Sequence, residues 1–282
     1  MAIFTDPKDF HKNCWAWRTA GYRTAFVPTM GAFHEGHRAL MSWARSHADK
    51  VAVSIFVNPT QFGSSEDLAS YPRDLERDRQ IATELKIDAI FAPEPEAMFK
   101  PDHCTWIEVP ELTKTLCGPK RPEHFLGVAT VVAKLLALAL PDVAVFGQKD
   151  WQQLAIIRRM VRDLNFPVVI AGRPTEREKD GLAFSSRNAY LTRDQRKLAP
   201  NIYKGLMRSA AALVEGVTDA ATLEAELRAF YSQNLPAGRV EYIECVHPDT
   251  LEPLTTIDDQ ALLAVAVALG KARLIDNILL GV

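Results

Sequence analysis

From about residue 23 to residue 163, short apolar β-prone runs alternate with longer segments of helical period, and this alternation restricts the fold more than any other feature. Residues 23–28 read as a strand, 35–48 as a helix, and Val51 to Val57 as a strand apolar on both faces. A helix near 73–86, a strand near 88–92, a helix from Phe125 to Leu140, a strand from Asp142 to Phe146 and a helix from Asp150 to Asp163 follow. Buried strands separated by helices predict an α/β fold with a Rossmann-like open parallel sheet. Its crossovers should be right-handed, and ligands should gather at the carboxyl ends of its strands. Ahead of it, Asp6-Pro7-Lys8-Asp9 has an N-cap residue followed by proline at the first helical position.

From about Thr175 the texture changes. A charged loop leads to helical stretches near 193–215 and 219–233, then to β-prone runs at 240–246, 261–268 and 272–278 with no helix between them. We therefore expect two domains, a Rossmann-like one over 1–174 and a smaller α+β lid domain over 175–282, hinged near residues 172–176.

Composition narrows the partner. With 48% apolar and 24% charged residues and a net charge of -2, the 282-residue chain has no sign of a nucleic-acid surface or a basic membrane patch. The expected partners are small molecules, not nucleic acid or membrane. Cys14, Cys104, Cys117 and Cys245 are scattered without a CxxC pair, which fits reduced thiols. The longest apolar runs, Leu135 to Leu140 and Ala261 to Leu269, fall short of the roughly 20 residues that span a bilayer. The N-terminus lacks the basic-then-apolar order of a signal peptide, so a cytoplasmic protein is expected.

Three segments carry the chemistry. Pro28 to His37 (PTMGAFHEGH) links a strand to a helix. The first N–H groups of a helix lack intrahelical partners, and the macrodipole places partial positive charge there, which suits a phosphate. His34 and His37 are three apart, so both rings can face one side, and Gly36 presents no side chain to a ligand across the backbone. A zinc pair would be spaced four apart with a glutamate base and further ligands, which this sequence lacks. An isolated His-x-Gly-His could be an ordinary exposed turn; two further phosphate-type segments argue otherwise. Phe146-Gly147-Gln148-Lys149-Asp150 again runs from strand to helix, and it places Lys149 where the helix dipole disfavours a cation unless an anion is bound. Asp180 to Asn188 (DGLAFSSRN) offers two hydroxyls and a guanidinium able to fork onto phosphate, at a junction that suggests a closing lid. Between them, Gln61 follows a buried strand and Gln153 lies one turn beyond Lys149. Neutral amides that both donate and accept suit a substrate with hydroxyl and carboxylate groups. No GxGxxG follows the first strand, which removes the main support for a nicotinamide or flavin site.

Taken together, PTMGAFHEGH, VSIFVNPTQFG, the YPRD stretch at 71–74, RPEHFLGVATVV at 121–132, FGQKDWQQL, DGLAFSSRNAYL and RLIDN at 273–277 resemble the pantothenate synthetase (pantoate–β-alanine ligase) family. That family belongs to the nucleotidylyltransferases marked by His-x-Gly-His. The resemblance implies a two-step ligation: pantoate and ATP give pantoyl adenylate and pyrophosphate, and β-alanine then gives pantothenate and AMP. Carried onto this chain, it implies that Met30, Gly31, Ala32, Phe33, His34, Glu35, Gly36 and His37 bind ATP. Gly147, Gln148, Lys149, Asp150 and the backbone at Glu176 share that role, with Phe184, Ser185, Ser186 and Arg187 over the phosphates. His37, His34, Lys149 and Arg187 would be the catalytic donors, with His37 the proton donor. Gln61 and Gln153 would hold pantoate, with Asn58 and Arg121 in the second-substrate region. Magnesium would ride on the phosphate oxygens, near Asp78, and a homodimer is implied. Phe33 stands where the family usually has leucine, and Glu176 where an aliphatic residue is usual. A nucleotidylyltransferase with a phosphorylated acceptor fits less well, given neutral Gln61 and Gln153. A non-catalytic nucleotide-binding module would not need every donor together.

Overall fold

Strand Thr24–Thr29 (β2) is the axis about which the first part of the chain is laid out. The computed structural model describes residues 1–63 and 68–281. By internal contacts the chain forms two compact units, one of residues 1–109, 121–148 and 156–174, the other of 110–120, 149–155 and 175–282.

In the first unit, Ala2–Phe4 (β1) precedes Pro7–Thr19 (α1), whose cap is the one expected: the Asp6 carboxylate accepts from the amides of Lys8 and Asp9. After β2 come Glu35–His47 (α2), Lys50–Ile55 (β3), Leu75–Glu84 (α3), Ala89–Phe91 (β4), the short Pro95–Met98 (α4), His124–Ala139 (α5), Val143–Gly147 (β5), Trp151–Asp163 (α6), whose first residues through 155 fall with the second unit, and Val169–Arg173 (β6). The six strands form a parallel sheet in the order β1-β4-β3-β2-β5-β6. This is the Rossmann-like architecture expected, with β1 and β6 added. Strand order runs one way from β2 through β3 to β4 and the other way through β5 to β6. The switch point, where such sheets bind ligands, therefore lies at the carboxyl ends of β2 and β5.

Packing follows from the sequence. Phe10 on α1 is fully buried and stacks on Phe91 with ring centroids 4.4 Å apart. A phenylalanine buried in this way contributes about 1.5–3 kcal/mol. Helix α5 is apolar nearly all round and ends on Leu140 in the left-handed region, before Pro141 stops it. Asp142 then accepts from the amide and hydroxyl of Thr24 at 2.7 and 3.0 Å, which ties the start of β5 to that of β2.

The second unit contains Arg193–Leu198 (α7), Asn201–Val214 (α8), Ala220–Asn234 (α9), and the antiparallel strands Gly238–Val246 (β7), Gln260–Leu269 (β8) and Ala272–Gly281 (β9), in the order β7-β8-β9. Its core joins Ile202, Leu206, Leu223, Leu227 and Tyr231 to Leu263, Val265 and Val267. Residues 110–120 and 149–155 fall with this unit, whereas a split into 1–174 and 175–282 leaves them in the first. Polar bonds account for the difference. The Leu116 amide donates to Glu244, the Trp151 indole donates to the Pro248 carbonyl, and Asn277 donates to the Lys149 carbonyl. Among the described residues, no helix is long and apolar enough to cross a membrane.

One close approach in the first unit is testable. A Cβ on Gly127 of α5 would lie 2.3 Å from the Thr60 carbonyl oxygen, where both sides are backbone and neither can yield cheaply. Gly127→Ala should cost about 1–3 kcal/mol, the usual range for overpacking. It should lower the urea midpoint of unfolding.

Candidate active site

The His-x-Gly-His turn is built around a carboxylate distant in sequence. After β2 the chain enters the left-handed region at Gly31 (φ 83°) and again at Ala32 (φ 52°). Gly31 is obligatory, because a Cβ there would sit 2.9 Å from both Asp78 Oδ2 and Ile55 Cγ2. Asp78, on α3 and 1% exposed, accepts from the amides of Ala32 at 2.8 Å and Phe33 at 2.7 Å. Burial pushes its pKa above the ordinary carboxylate range, outweighing the opposing pull of the two amides. Both oxygens accept from the turn, so Asp78 secures the loop.

Held in this way, the chain leaves the turn with His34 extended (φ -130°, ψ 178°) as the N-cap of α2. The rings of His34 and His37 stack with centroids 4.1 Å apart, on one side of the helix start as their spacing predicts. The His34 amide donates to His37 Nδ1 at 3.4 Å. An Nδ1 that accepts puts the proton of the neutral ring on Nε2, so His37 carries a donor on its far edge.

Beyond β3, residues Pro59–Gln61 form a single 3₁₀ turn. Gln61 is 8% exposed; its side-chain amide donates to Met30 Sδ at 2.9 Å and accepts from Asn58 Nδ2 at 3.2 Å. Its main-chain carbonyl accepts from His124 Nδ1 at 2.8 Å and from Arg121 at 3.4 Å. Asn58 is buried, with Oδ1 taken by Thr60 and Nδ2 shared between Gln61 and the Gly127 carbonyl. Asn58 therefore orients Gln61, a supporting bond of which the sequence, where Asn58 is expected in the second-substrate region, gives no sign. Arg121 reaches the same turn through the Gln61 carbonyl.

Of the remaining segments, Gly147 and Gln148 belong to the first unit, and Lys149, Asp150 and residues 176–187 to the second. Residues Gln148–Asp150 form a 3₁₀ turn into α6, with Lys149 half-buried. Gln153 is also half-buried, while its neighbour Gln152 is the structural amide: it accepts from the Cys117 amide and donates to the carbonyls of Leu112 and Thr115, each at 2.9 Å. Nothing in the sequence separates these two glutamines. Residues 176–184 form a tight hairpin in which Phe184 donates to the carbonyl of exposed Glu176 at 3.0 Å. Arg196 spans Glu178 and Asp180 at 2.6 and 2.7 Å, and Ser185 caps the turn Ser186–Tyr190 by accepting from the Arg187 amide. These bonds tie the segment with Phe184, Ser185, Ser186 and Arg187 to the rest of its unit.

The six-stranded parallel sheet with its switch point between two central strands defines the class, a Rossmann-like α/β protein, and the stacked imidazoles lie at the carboxyl end of one of those strands. Comparison with known proteins gives the family. The family model described as Pantoate-beta-alanine ligase matches residues 2–279, and the chain belongs to the pantoate–β-alanine ligase family of enzymes. The pantothenate synthetase of Nitratidesulfovibrio vulgaris (strain Miyazaki F) is 58% identical over 280 residues, 99% of each chain. Among solved structures, pantothenate synthetase from Thermus thermophilus superposes with a TM-score of 0.92 at 43% identity, covering 99% of both chains. The pantoate–β-alanine ligase of Francisella tularensis, complexed with "Beta-gamma ATP" and β-alanine, gives 0.81 at 34% identity, covering 99% of this chain and 97% of that one.

Asp78→Ala leaves the amides of part-buried Ala32 and buried Phe33 without their acceptor, at a cost of about 1–3 kcal/mol for the buried one. Because the pKa of Asp78 is raised on folding, the folded state holds the proton more tightly. The stability contributed by the Asp78 carboxyl group is then fullest below the usual value of 3.8, where it is protonated, and declines as pH rises through the folded pKa. The stability gap between the wild-type protein and Asp78→Ala, followed by urea unfolding, should shrink across that window. A gap that widens instead would mean that the two amides dominate burial.

Proposed function

We propose that this protein joins pantoate to β-alanine in two steps through pantoyl adenylate. In the first, a pantoate carboxylate oxygen bonds to the α-phosphorus of ATP and the bond to the β-phosphate oxygen breaks, releasing pyrophosphate. In the second, the β-alanine amine bonds to the pantoyl carbonyl carbon and AMP leaves with the former carboxylate oxygen. The end-to-end likeness to pantothenate synthetases carries this reading.

The chemistry of the residues supports it. A carboxylate is already ionised at pH 7, so adenylation needs no general base. It needs alignment, and donors aimed at the charge that accumulates on the leaving pyrophosphate. Met30, Gly31, Ala32, Phe33, His34, Glu35, Gly36 and His37 bind ATP, with His37 donating from Nε2. Gly147, Gln148, Lys149, Asp150 and the Glu176 backbone also serve the nucleotide, and Phe184, Ser185, Ser186 and Arg187 serve its phosphates. Gln61 and Gln153 hold pantoate, with Asn58 and Arg121 fixing the turn that carries Gln61. Magnesium bound together with ATP would neutralise phosphate charge; among the described residues no group of three or more His, Cys, Asp and Glu side chains gathers to hold it. The family resemblance also supports a cytoplasmic homodimer.

Two experiments test the reading. Pantoate alone should support exchange of labelled pyrophosphate into ATP; exchange that requires β-alanine would exclude a separate adenylation step. Lys149→Ala should slow single-turnover adenylation by roughly 100- to 1,000-fold, the usual cost of one preorganised donor. Capture of chemically made pantoyl adenylate by β-alanine should change far less, because no pyrophosphate leaves in that step. Equal slowing of both steps would remove the assigned role of Lys149.

A further inference from the structure

The motif RLIDN at 273–277 lies on β9, far in sequence from every segment assigned to substrates. Within the second unit it nonetheless touches one of them directly. The Asn277 side chain, 8% exposed, donates from Nδ2 to the main-chain carbonyl of Lys149 at 2.8 Å, across 128 residues of sequence. This bond acts on the backbone of the 3₁₀ turn, leaving the ammonium group of Lys149 to a ligand.

Asn277 is well placed to define a position, because its own strand is pinned from the other side. Successive residues of a strand point to opposite faces, so Asp276 and Asn277 project to opposite faces of the three-stranded sheet. Asp276, 4% exposed, receives a two-pronged bond from Arg177 at 2.6 and 2.8 Å, and its Oδ1 also accepts from the Asn277 amide at 2.8 Å. Arg177 lies over the Tyr203 ring at 3.6 Å and also donates to the Gly181 carbonyl, which fixes the hairpin that leads to Ser185–Arg187. Two adjacent residues thus carry the turn of Lys149 on one face and the hairpin on the other.

We propose that Asn277 is a positioning residue for Lys149: its amide sets the turn so that the ammonium group meets the pyrophosphate charge as it develops in adenylation. The proposal rests on the adenylating reading above. A displacement near 1 Å of a group acting in the transition state can cost about 100-fold.

The test is single-turnover kinetics of Asn277→Ala and of Asn277→Asp, which keeps the shape and loses the donor, alongside Lys149→Ala and the double variant Lys149→Ala/Asn277→Ala. Adenylation from ATP and pantoate should slow by roughly 10- to 100-fold in both Asn277 variants, with capture of synthetic pantoyl adenylate by β-alanine little changed. Once Lys149 is alanine, removing Asn277 should slow adenylation no further. A purely structural residue would slow both half-reactions alike, or its effect would multiply in full with that of Lys149→Ala; either result overturns the proposal. If neither Asn277 variant folds by circular dichroism, Asn277 is structural and the proposal fails. A wild-type protein that makes no pantoyl adenylate removes the functional reading itself, and the proposal with it.

Discussion

The acceptance of two loop amides by the buried Asp78 carboxylate is the constraint on which the histidine turn depends. Turning a chain through two consecutive left-handed residues, one of them alanine, costs free energy of order 1–2 kcal/mol at the non-glycine position. Two amide bonds to one carboxyl group offset that cost, and they give its buried oxygens N–H partners where water would otherwise be required. The geometry of His34 as N-cap, the start of α2 at Glu35 and the stacking of the two rings all follow from that anchor. The His-x-Gly-His spacing allows this arrangement, and a residue on another helix enforces it.

The shelf that carries Gln61 obeys the same logic in a different chemistry. Here the anchor is neutral: Asn58 satisfies the turn and orients the glutamine amide, while the absence of a side chain at Gly127 lets α5 approach the turn closely enough to accept from Asn58. A side-chain amide that keeps one orientation before a ligand arrives loses little entropy when the ligand binds. A neutral amide that both donates and accepts fits the acid-binding role proposed for Gln61.

Much of the fold was legible in the sequence because strands apolar on both faces and capped helices leave local marks. The Asp6-Pro7 cap, β2 to β5 and the three C-terminal strands lie close to where periodicity puts them. Strand β1 is three residues long, too short to show a period, and β6 ends in Gly-Arg at the expected hinge. The anticipated helix over 193–215 divides at Pro200 into α7 and α8, as a residue lacking an N–H requires. For the candidate site, the segments were legible and their supports were not. Asp78 lies on a helix of Glu, Arg and Asp where every carboxylate looks alike, and Gln152 and Gln153 differ only in which side of α6 they occupy. Residues 110–120 and 149–155 read as continuous with the first domain, because the bonds that join them to β7–β9 come from more than a hundred residues later.

That separation has a physical meaning. The supporting contact of each segment spans a long stretch of chain: 46 residues from Ala32 to Asp78, 69 from Asn58 to Gly127, 99 from Arg177 to Asp276 and 128 from Lys149 to Asn277. Contacts of that reach carry a loop-closure entropy that only a folded core repays, so none of the segments can hold its conformation as an isolated peptide. The strands and helices that surround them therefore determine more than where the segments lie. They fix the backbone conformation that gives the histidines, the lysine and the glutamine their directions, and the chemistry proposed for this protein is a property of the whole chain, not of its motifs.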